Sequence, residues 1–536
     1  MFSFLAWSVL SALFLSVIAK NQESRLIKIH SGPVRGYKDP LENVFTFHGI
    51  PYATAPTGTQ RFKGPLPPPV WTEILEAVNK SIVCPQMYMN VKENCLTASV
   101  YVPENVDEEL PVVVYIHGGG FVLGFGDVAT PKKLVSSQHI IAVTFNYRLG
   151  AHGFLCLGTE DIPGNAGMKD QVALLRWVKQ NIAWFGGNPE DITIAGYSAG
   201  SSSVELLMIS KMGVGLFNKV ILESGASTSP YAIQVDPIQN AKEYANLIQK
   251  INISNVLELE QYFKNIPYEL LQSGDLRNRK DHTFLFSPCV ETDNGQERFL
   301  DDNPVNILKQ GNYSIVPMLY GFTNMEGLMR ISTFDLWKTE MQENFSNFLP
   351  ADLRFENDEV KHVVAENIKK FYFGDKPVND DTVLNYVDYI SDVTFTCPVL
   401  RAIQFLLNAG HDKIYLYEYS FTDENTPFVP YTHVRGADHC AQTSAVLDGF
   451  EGIKSSDTED YVQMRSIMRE LWGNFIKHRK PSASEAPAWS PVSKNRRSYM
   501  ALKKYLELKE SLLEKPRLFW DQIYDLYYRF PVAPSK

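Results

Sequence analysis

Residues 191–203 read DITIAGYSAGSSS. An apolar, β-branched run stops at Gly196-Tyr197-Ser198-Ala199-Gly200, and only small residues follow. The run has the composition of a buried strand, and the residues after it suit a helix. Glycine two places either side of a serine marks a bend with no room for a Cβ. G-x-S-x-G between strand and helix sets the serine hydroxyl on a sharp turn at the top of a sheet. The helix starting just after Ser198 aims free N–H groups and its dipole at negative charge near Oγ. The competing reading is an ordinary glycine-rich strand-to-helix turn, because 33 glycines allow such a pattern by chance.

Working outward, PVVVYI (111–116) and IIAVTFNY (140–147) predict buried strands, and DQVALLRWVKQNIAWF (170–185) has helical periodicity. Further strands are expected at ITIAG (192–196), KVILES (219–224), IVPMLYGF (315–322) and KIYLYEYSF (413–421), with amphipathic helices at 461–478 and 518–528. This alternation predicts an α/β fold with a mostly parallel central sheet and helices on both faces. Residues 230–310 and 335–400 are more polar, with broken helical patterns, and read as large cap-like insertions. The Pro/Ser-rich stretch 480–491 reads as a loop, and no internal repeat is visible. At 536 residues the chain exceeds the usual size of one core, so it holds either several domains or one sheet-centred domain with insertions.

A serine nucleophile needs donors for a developing anion. YIHGGGFVLG (115–124) follows a predicted strand and supplies three glycines whose amides can converge, a provision whose loss typically costs about 3–4 kcal/mol. Gly119, Gly120 and the amide of Ala199 are the expected donors. The alternative is a flexible loop. GFGDVA (124–129) mimics a dinucleotide fingerprint, but it neither follows a strand directly nor opens a helix, so it is discarded.

Charge and targeting signals narrow the setting. Net charge is −10 and no stretch has five consecutive basic residues, which argues against nucleic acid as a partner. Residues 1–19 carry no charge and include an apolar run ending Val17-Ile18-Ala19, expected to be a secretory signal cut after Ala19 although a basic start is missing. The rival, a membrane anchor, needs about 20 apolar residues, and this run is shorter. No later stretch reads as a span, so no stable membrane anchor is expected, and the tail RFPVAPSK is neither a retention nor a lipid-anchor signal. Four N-x-S/T sites, at Asn79, Asn252, Asn312 and Asn344, suit glycosylated surface loops. Cys84 and Cys95 are the close pair among six cysteines, and a disulfide there would contribute roughly 3 kcal/mol. Cys156, Cys289, Cys397 and Cys440 have no evident partners, and no metal-ligand spacing exists, so no metal site is expected. Oligomeric state is not legible.

With 61 acidic residues and 11 histidines, spacing alone does not choose the acid and base. Here the sequence resembles the type-B carboxylesterase/cholinesterase family of the α/β-hydrolases. The motifs are FHGIPYATAP (47–56), RFKGPLPPPVW (61–71), HGGGF (117–121), NYRLGAHGFL (146–155), GNAGMKDQVALLRWVKQNI (164–182), FGGNP (185–189), GYSAG (196–200) and ESGAS (223–227). GFLCLGTEDIPGNAGMKDQ looks most like secreted insect carboxylesterases. The resemblance implies one α/β-hydrolase domain over residues 20–536 and a triad in the order Ser198, Glu326, His439, the last two in GFTNMEG and GADHCAQTS. His433, the nearest competitor for the base, lacks the matching glycine three residues upstream, and Asp438 reads as a solvated loop residue. The implied reaction attacks a small-molecule ester through an acyl-enzyme, with no cofactor.

Departures from the family pattern are informative. Many members carry glutamate before the serine and an acid three places after the histidine, linked with a second serine, here Ser224. This chain has Tyr197 and Gln442 instead. The expected result is a network of Tyr197, Ser224 and Gln442 that keeps its hydrogen bonds and loses charge; simple space-filling by Tyr197 is the alternative. Fewer carboxylates stabilise an imidazolium less, so the base should stay neutral to lower pH than in glutamate-bearing relatives. The Cys84–Cys95 loop is short and lacks the tryptophan that holds choline in cholinesterases, and Tyr197 stands where juvenile hormone esterases usually have glutamine. Phe284 and Phe286 are candidates to line an acyl pocket or to pack a core. The expected function is a secreted hydrolase of small to medium apolar esters, such as odorant, pheromone, dietary or foreign esters. The competing functions are a non-catalytic, neuroligin-like adhesion protein and a slow-turnover ester scavenger.

Overall fold

The β-branched runs around Ser198 pair into the middle of a large sheet. The structure, a computed structural model, describes residues 22–87, 91–449, 458–484 and 486–535. The expected signal cleavage after Ala19 lies outside them. Among the described residues the strands are β1 (Ser24–Ile29), β2 (Gly32–Lys38), β3 (Val44–Pro51), β4 (Leu75–Glu76), β5 (Thr97–Pro103), β6 (Leu110–Ile116) and β7 (Ile141–Phe145). They continue as β8 (Gly187–Tyr197), β9 (Lys219–Glu223), β10 (Met318–Thr323), β11 (Ile414–Tyr419), β12 (Ser498–Leu502) and β13 (Leu506–Glu510).

The sheet order is β1-β2-β3-β5-β7-β6-β8-β9-β10-β11-β12-β13, with β4 beside β2. The block from β7 to β12 is parallel. The outer ladders β1–β2, β2–β3, β3–β5, β5–β7 and β12–β13 are antiparallel. The fold is α/β-hydrolase, as the residue pattern and the resemblance imply.

Both faces of the central strands are buried, which explains their unbroken apolar runs. Along β6, Val112, Val114 and Ile116 join one core while Val113 and Tyr115 join the other. Strand geometry sends alternate side chains to opposite faces, and each face has its own helical cover. The helices Ala166–Asn181 and Ala199–Ile209 cover the first, and Glu459–His478 covers the second through Met464, Met468, Leu471 and Phe475.

The first polar insertion holds short helices separated by a long irregular stretch, residues 273–303, and the second is largely helical. Within the second, Phe334–Glu343, Asp358–Phe373 and Val383–Ser391 pack with Glu514–Tyr527 around a third core centred on Phe345, Tyr386, Tyr389 and Trp520. The helical run Asp380–Asn408 has the length and mean hydropathy, 1.3, of a membrane span, yet 89% of that stretch is buried inside the protein. Its apolar composition is accounted for by that packing. The strands β1–β5 and β12–β13 lie outside the runs that the sequence pattern singled out.

Candidate active site

Strands β8, β9 and β10 lie side by side and end at the same edge. Ser198 follows β8 directly, Ser224 follows β9, and Glu326 lies three residues beyond β10. His439 sits on the segment between β11 and the short helix Ala441–Val446. Open α/β sheets place their sites at this edge because the loops there diverge and leave a crevice.

Ser198 adopts φ 55°, ψ −126°, a conformation a non-glycine residue holds only when its surroundings impose it. Two restraints do so here. Its amide donates to the Glu223 carbonyl at 2.8 Å, prolonging the ladder, while Ala199 already opens the helix. A Cβ built on Gly196 would lie 2.5 Å from the Gly200 backbone, and one on Gly200 would lie 2.2 Å from the Ile116 carbonyl oxygen. Both motif glycines are therefore steric requirements of the bend. Further along the helix, Ser201 and Ser202 donate to the carbonyls of Gly225 and Ala226 at 2.7 and 2.9 Å, fastening the loop after β9 to it.

The glycine run after β6 folds over the serine. Gly119 and Gly120 take φ 101° and 66°, the left-handed region open to glycine. Among the described residues no main-chain carbonyl accepts the amides of Gly119, Gly120 or Ala199. The run is braced from behind: Tyr147 donates its hydroxyl to the His117 carbonyl at 2.9 Å, and the two rings stack at 4.3 Å. Burial drives the His117 ring down to about 4, so it stays neutral.

Glu326 has no solvent exposure. Its Oε1 accepts the Ser224 hydroxyl at 2.6 Å and the Thr323 amide at 2.7 Å, and its Oε2 meets His439 Nδ1 at 2.5 Å. Gln442 Nε2 in turn donates to Ser224 Oγ at 2.6 Å. His439 Nε2 is buried with no protein partner. His439 and Ser198 line one cavity of about 400 Å³ together with Gly119, Gly120, Phe284 and Met329. A larger groove, about 870 Å³ around Arg354 and Lys361, contains none of these residues.

A sequence model of the carboxylesterase family matches residues 23–520. The chain belongs to the carboxylesterase family. Esterase FE4 of Myzus persicae is 32% identical over 510 residues, covering 90% of this chain and 89% of its own. The juvenile hormone esterase of Heliothis virescens is 33% identical over 498 residues, covering 87% of each. Among solved structures, juvenile hormone esterase from Manduca sexta, with OTFP covalently attached, superposes at TM-score 0.84 and 29% identity, covering 94% of this chain and 100% of that one. A PNB esterase superposes at 0.73 with 26% identity, covering 92% and 99%. The protein is a carboxylic ester hydrolase.

In this carboxylesterase the three residues expected to form a polar network occupy two places. Ser224 and Gln442 chain onto Glu326 as described. Tyr197 stacks its ring on Tyr115, with centroids 6.1 Å apart, and its hydroxyl meets the Gly118 amide; burial raises its pKa. Phe284 lines the cavity, whereas Phe286 packs edge-on against Tyr244 at 4.9 Å in the core. His433 is exposed against Phe428, and Asp438 is exposed, its carboxylate accepting the His439 amide at 2.6 Å.

Other contributors escaped the sequence reading. A π-helical turn, Asp392–Thr396, sets the Phe395 ring 4.4 Å from that of His439, a use of irregular helix common near functional sites. Cys440 also lines the cavity, and burial pushes its thiol well above the usual range, so it is not a rival nucleophile. Cys84 pairs with Cys95, and Cys156 pairs with Cys289 across 133 residues, while Cys397 and Cys440 are free. The second bridge anchors the segment that carries Phe284. A Cβ on Gly164, at φ 102°, would collide with both of its sulfurs, at 2.6 and 2.8 Å. Asn79, Asn252, Asn312 and Asn344 are all exposed.

Proposed function

We propose that Ser198, His439 and Glu326 act as nucleophile, general base and orienting acid of a secreted esterase for small to medium apolar esters. The observation that carries this reading is the state of the His439 ring. One nitrogen is bound to a buried carboxylate, and the other is unpartnered in the cavity that Ser198 lines. Glu326 holds Nδ1–H, which leaves the Nε2 lone pair to take the Ser198 proton as Oγ attacks the ester carbonyl. The amides of Gly119, Gly120 and Ala199 receive the oxyanion. Alcohol departs with a proton from His439, and water then repeats the sequence on the acyl-enzyme. Every step uses groups of this chain, the ester and one water.

The Ser224–Gln442 arm supports Glu326 without adding a carboxylate. Secretion, and a single hydrolase unit over residues 20–536, are part of the same reading. They are supported by the apolar leader sequence, two disulfides and four exposed glycosylation sequons.

The test is hydrolysis of nitrophenyl esters of graded acyl length by wild type and Ser198→Ala. The variant should lose a factor on the order of 10⁶ in kcat at unchanged Tm. A residual rate near that of wild type would reject the assignment. A burst followed by negligible turnover would mark a scavenger instead.

A further inference from the structure

The wall of the serine cavity carries a charge pattern at odds with the acidic chain around it. Arg277, Arg330, Asn278 and Asp275 line the same space as Ser198 and His439. Among the described residues, neither guanidinium has a carboxylate within ion-pair distance, in a protein of net charge −10. The nearby acids act on the pair only through space. Asp275 Oδ1 accepts the amides of Arg277 and Asn278 at 3.1 Å each, and Asp281 pairs with Arg279 at 2.9 Å. Arg330 is partly buried, donates Nη2 to the Arg277 carbonyl at 2.7 Å, and lies 5.8 Å over the Trp337 ring. Burial and the Arg277 charge lower its pKa, so a closer anion would relieve it.

The geometry points to Arg277 and Arg330 as the specificity-determining pair of this site, selecting esters that carry an anionic group on the chain end remote from the scissile bond. This rests on the proposed function and narrows it. The carbonyl would sit at Ser198 and the apolar chain along Phe284 and Met329, with a terminal carboxylate against the two guanidiniums. Arg277 is exposed and Arg330 partly buried, and a charged hydrogen bond is stronger than a neutral one. Arginine suits this role because its planar fork matches a carboxylate and remains charged at every working pH. Asp275, on the same wall, offsets one of the two guanidinium charges, which leaves the pair with the excess positive charge.

The test compares monomethyl esters of dicarboxylic acids, from succinate to suberate, with methyl esters of the corresponding monocarboxylic acids. Wild type, Arg277→Gln, Arg330→Gln and the double variant are followed by acid release. At one chain length in the series, wild type should favour the anionic ester by about tenfold or more in kcat/KM. The double variant should bring that ratio to near one, and added salt should erode the wild-type preference. Arg330→Gln also removes a loop contact, so Arg277→Gln is the cleaner variant: it keeps the main-chain carbonyl that Arg330 holds. A wild-type ratio of one or below at every length, with neutral esters hydrolysed, overturns this inference alone. So does a preference that survives the double substitution. Failure of wild type to hydrolyse either series, with Ser198 unreactive towards a fluorophosphonate, would instead overturn the proposed function.

Discussion

Asp170 and Glu326 are both carboxylates without solvent exposure, one on the helix Ala166–Asn181 and the other beyond β10. Asp170 accepts three bonds from Arg148, from Nε to Oδ2 at 2.8 Å, from Nη2 to Oδ1 at 2.6 Å and from the main-chain amide to Oδ2 at 3.0 Å. The rest of that guanidinium is taken by the carbonyls of Arg61, Lys63 and Ala166. Glu326 meets His439, and the far nitrogen of that ring has no protein partner. A buried ion pair is tolerable when every donor is satisfied, as at Asp170, where it ties the segment before the helix to the chain near residue 61. Leaving a buried donor or acceptor open costs stability. The closed network at Asp170 braces scaffold, whereas the open nitrogen of His439 belongs to a ring that lines the same cavity as Ser198.

Substitutions at the two carboxylates should separate along this line. Glu326→Gln keeps the volume and removes the charge and the fixed tautomer. It should lower kcat by about 10³–10⁴ with a modest change in Tm, measured on any ester that wild type hydrolyses. A loss below tenfold would mean that the open pair is not the base and its support. Asp170→Asn strands the Arg148 guanidinium and should cost roughly 3–5 kcal/mol in unfolding free energy, with kcat per folded molecule nearly constant. Denaturant unfolding checks the first part and active-site titration the second.

Glu223 sharpens the contrast from a third side. It is buried next to Ser224, accepts the hydroxyls of Tyr417 at 2.7 Å and Thr443 at 2.5 Å, and burial raises its pKa to about 7. Its folded pKa lies above the unfolded value of 4.5. The stabilising contribution is therefore complete below pH 4.5 and is lost as pH rises through about 7. Glu223→Gln should flatten Tm across that window, with a gain on the order of 2 kcal/mol at the alkaline end. A variant with the same pH slope as wild type would contradict the assignment.

The central strands were legible because burial on both faces leaves unbroken β-branched runs, as in VVVYI of β6. The bend at Ser198 was legible because only glycine fits at 196 and 200. β2 and β3 were not, since GPVRGYK and VFTFHGIP interrupt their apolar residues with glycine, proline and polar side chains, although β3 is largely buried. Glu326 and His439 came from family resemblance; no spacing joins residues 113 positions apart. The Cys156–Cys289 bridge was hidden for the same reason. Phe395 depends on one irregular helical turn, Arg277 sits on a loop of the first insertion, and Arg330 sits on the short 3-10 helix Glu326–Thr333 that begins at the acid.

The open pair is best examined at the atom it serves. Folded, active protein treated with a fluorophosphonate and mapped by peptide mass should carry one adduct, on Ser198, and lose activity in step with labelling. Complete inactivation with Ser198 unmodified, or a folded active enzyme that takes no label, would contradict the account.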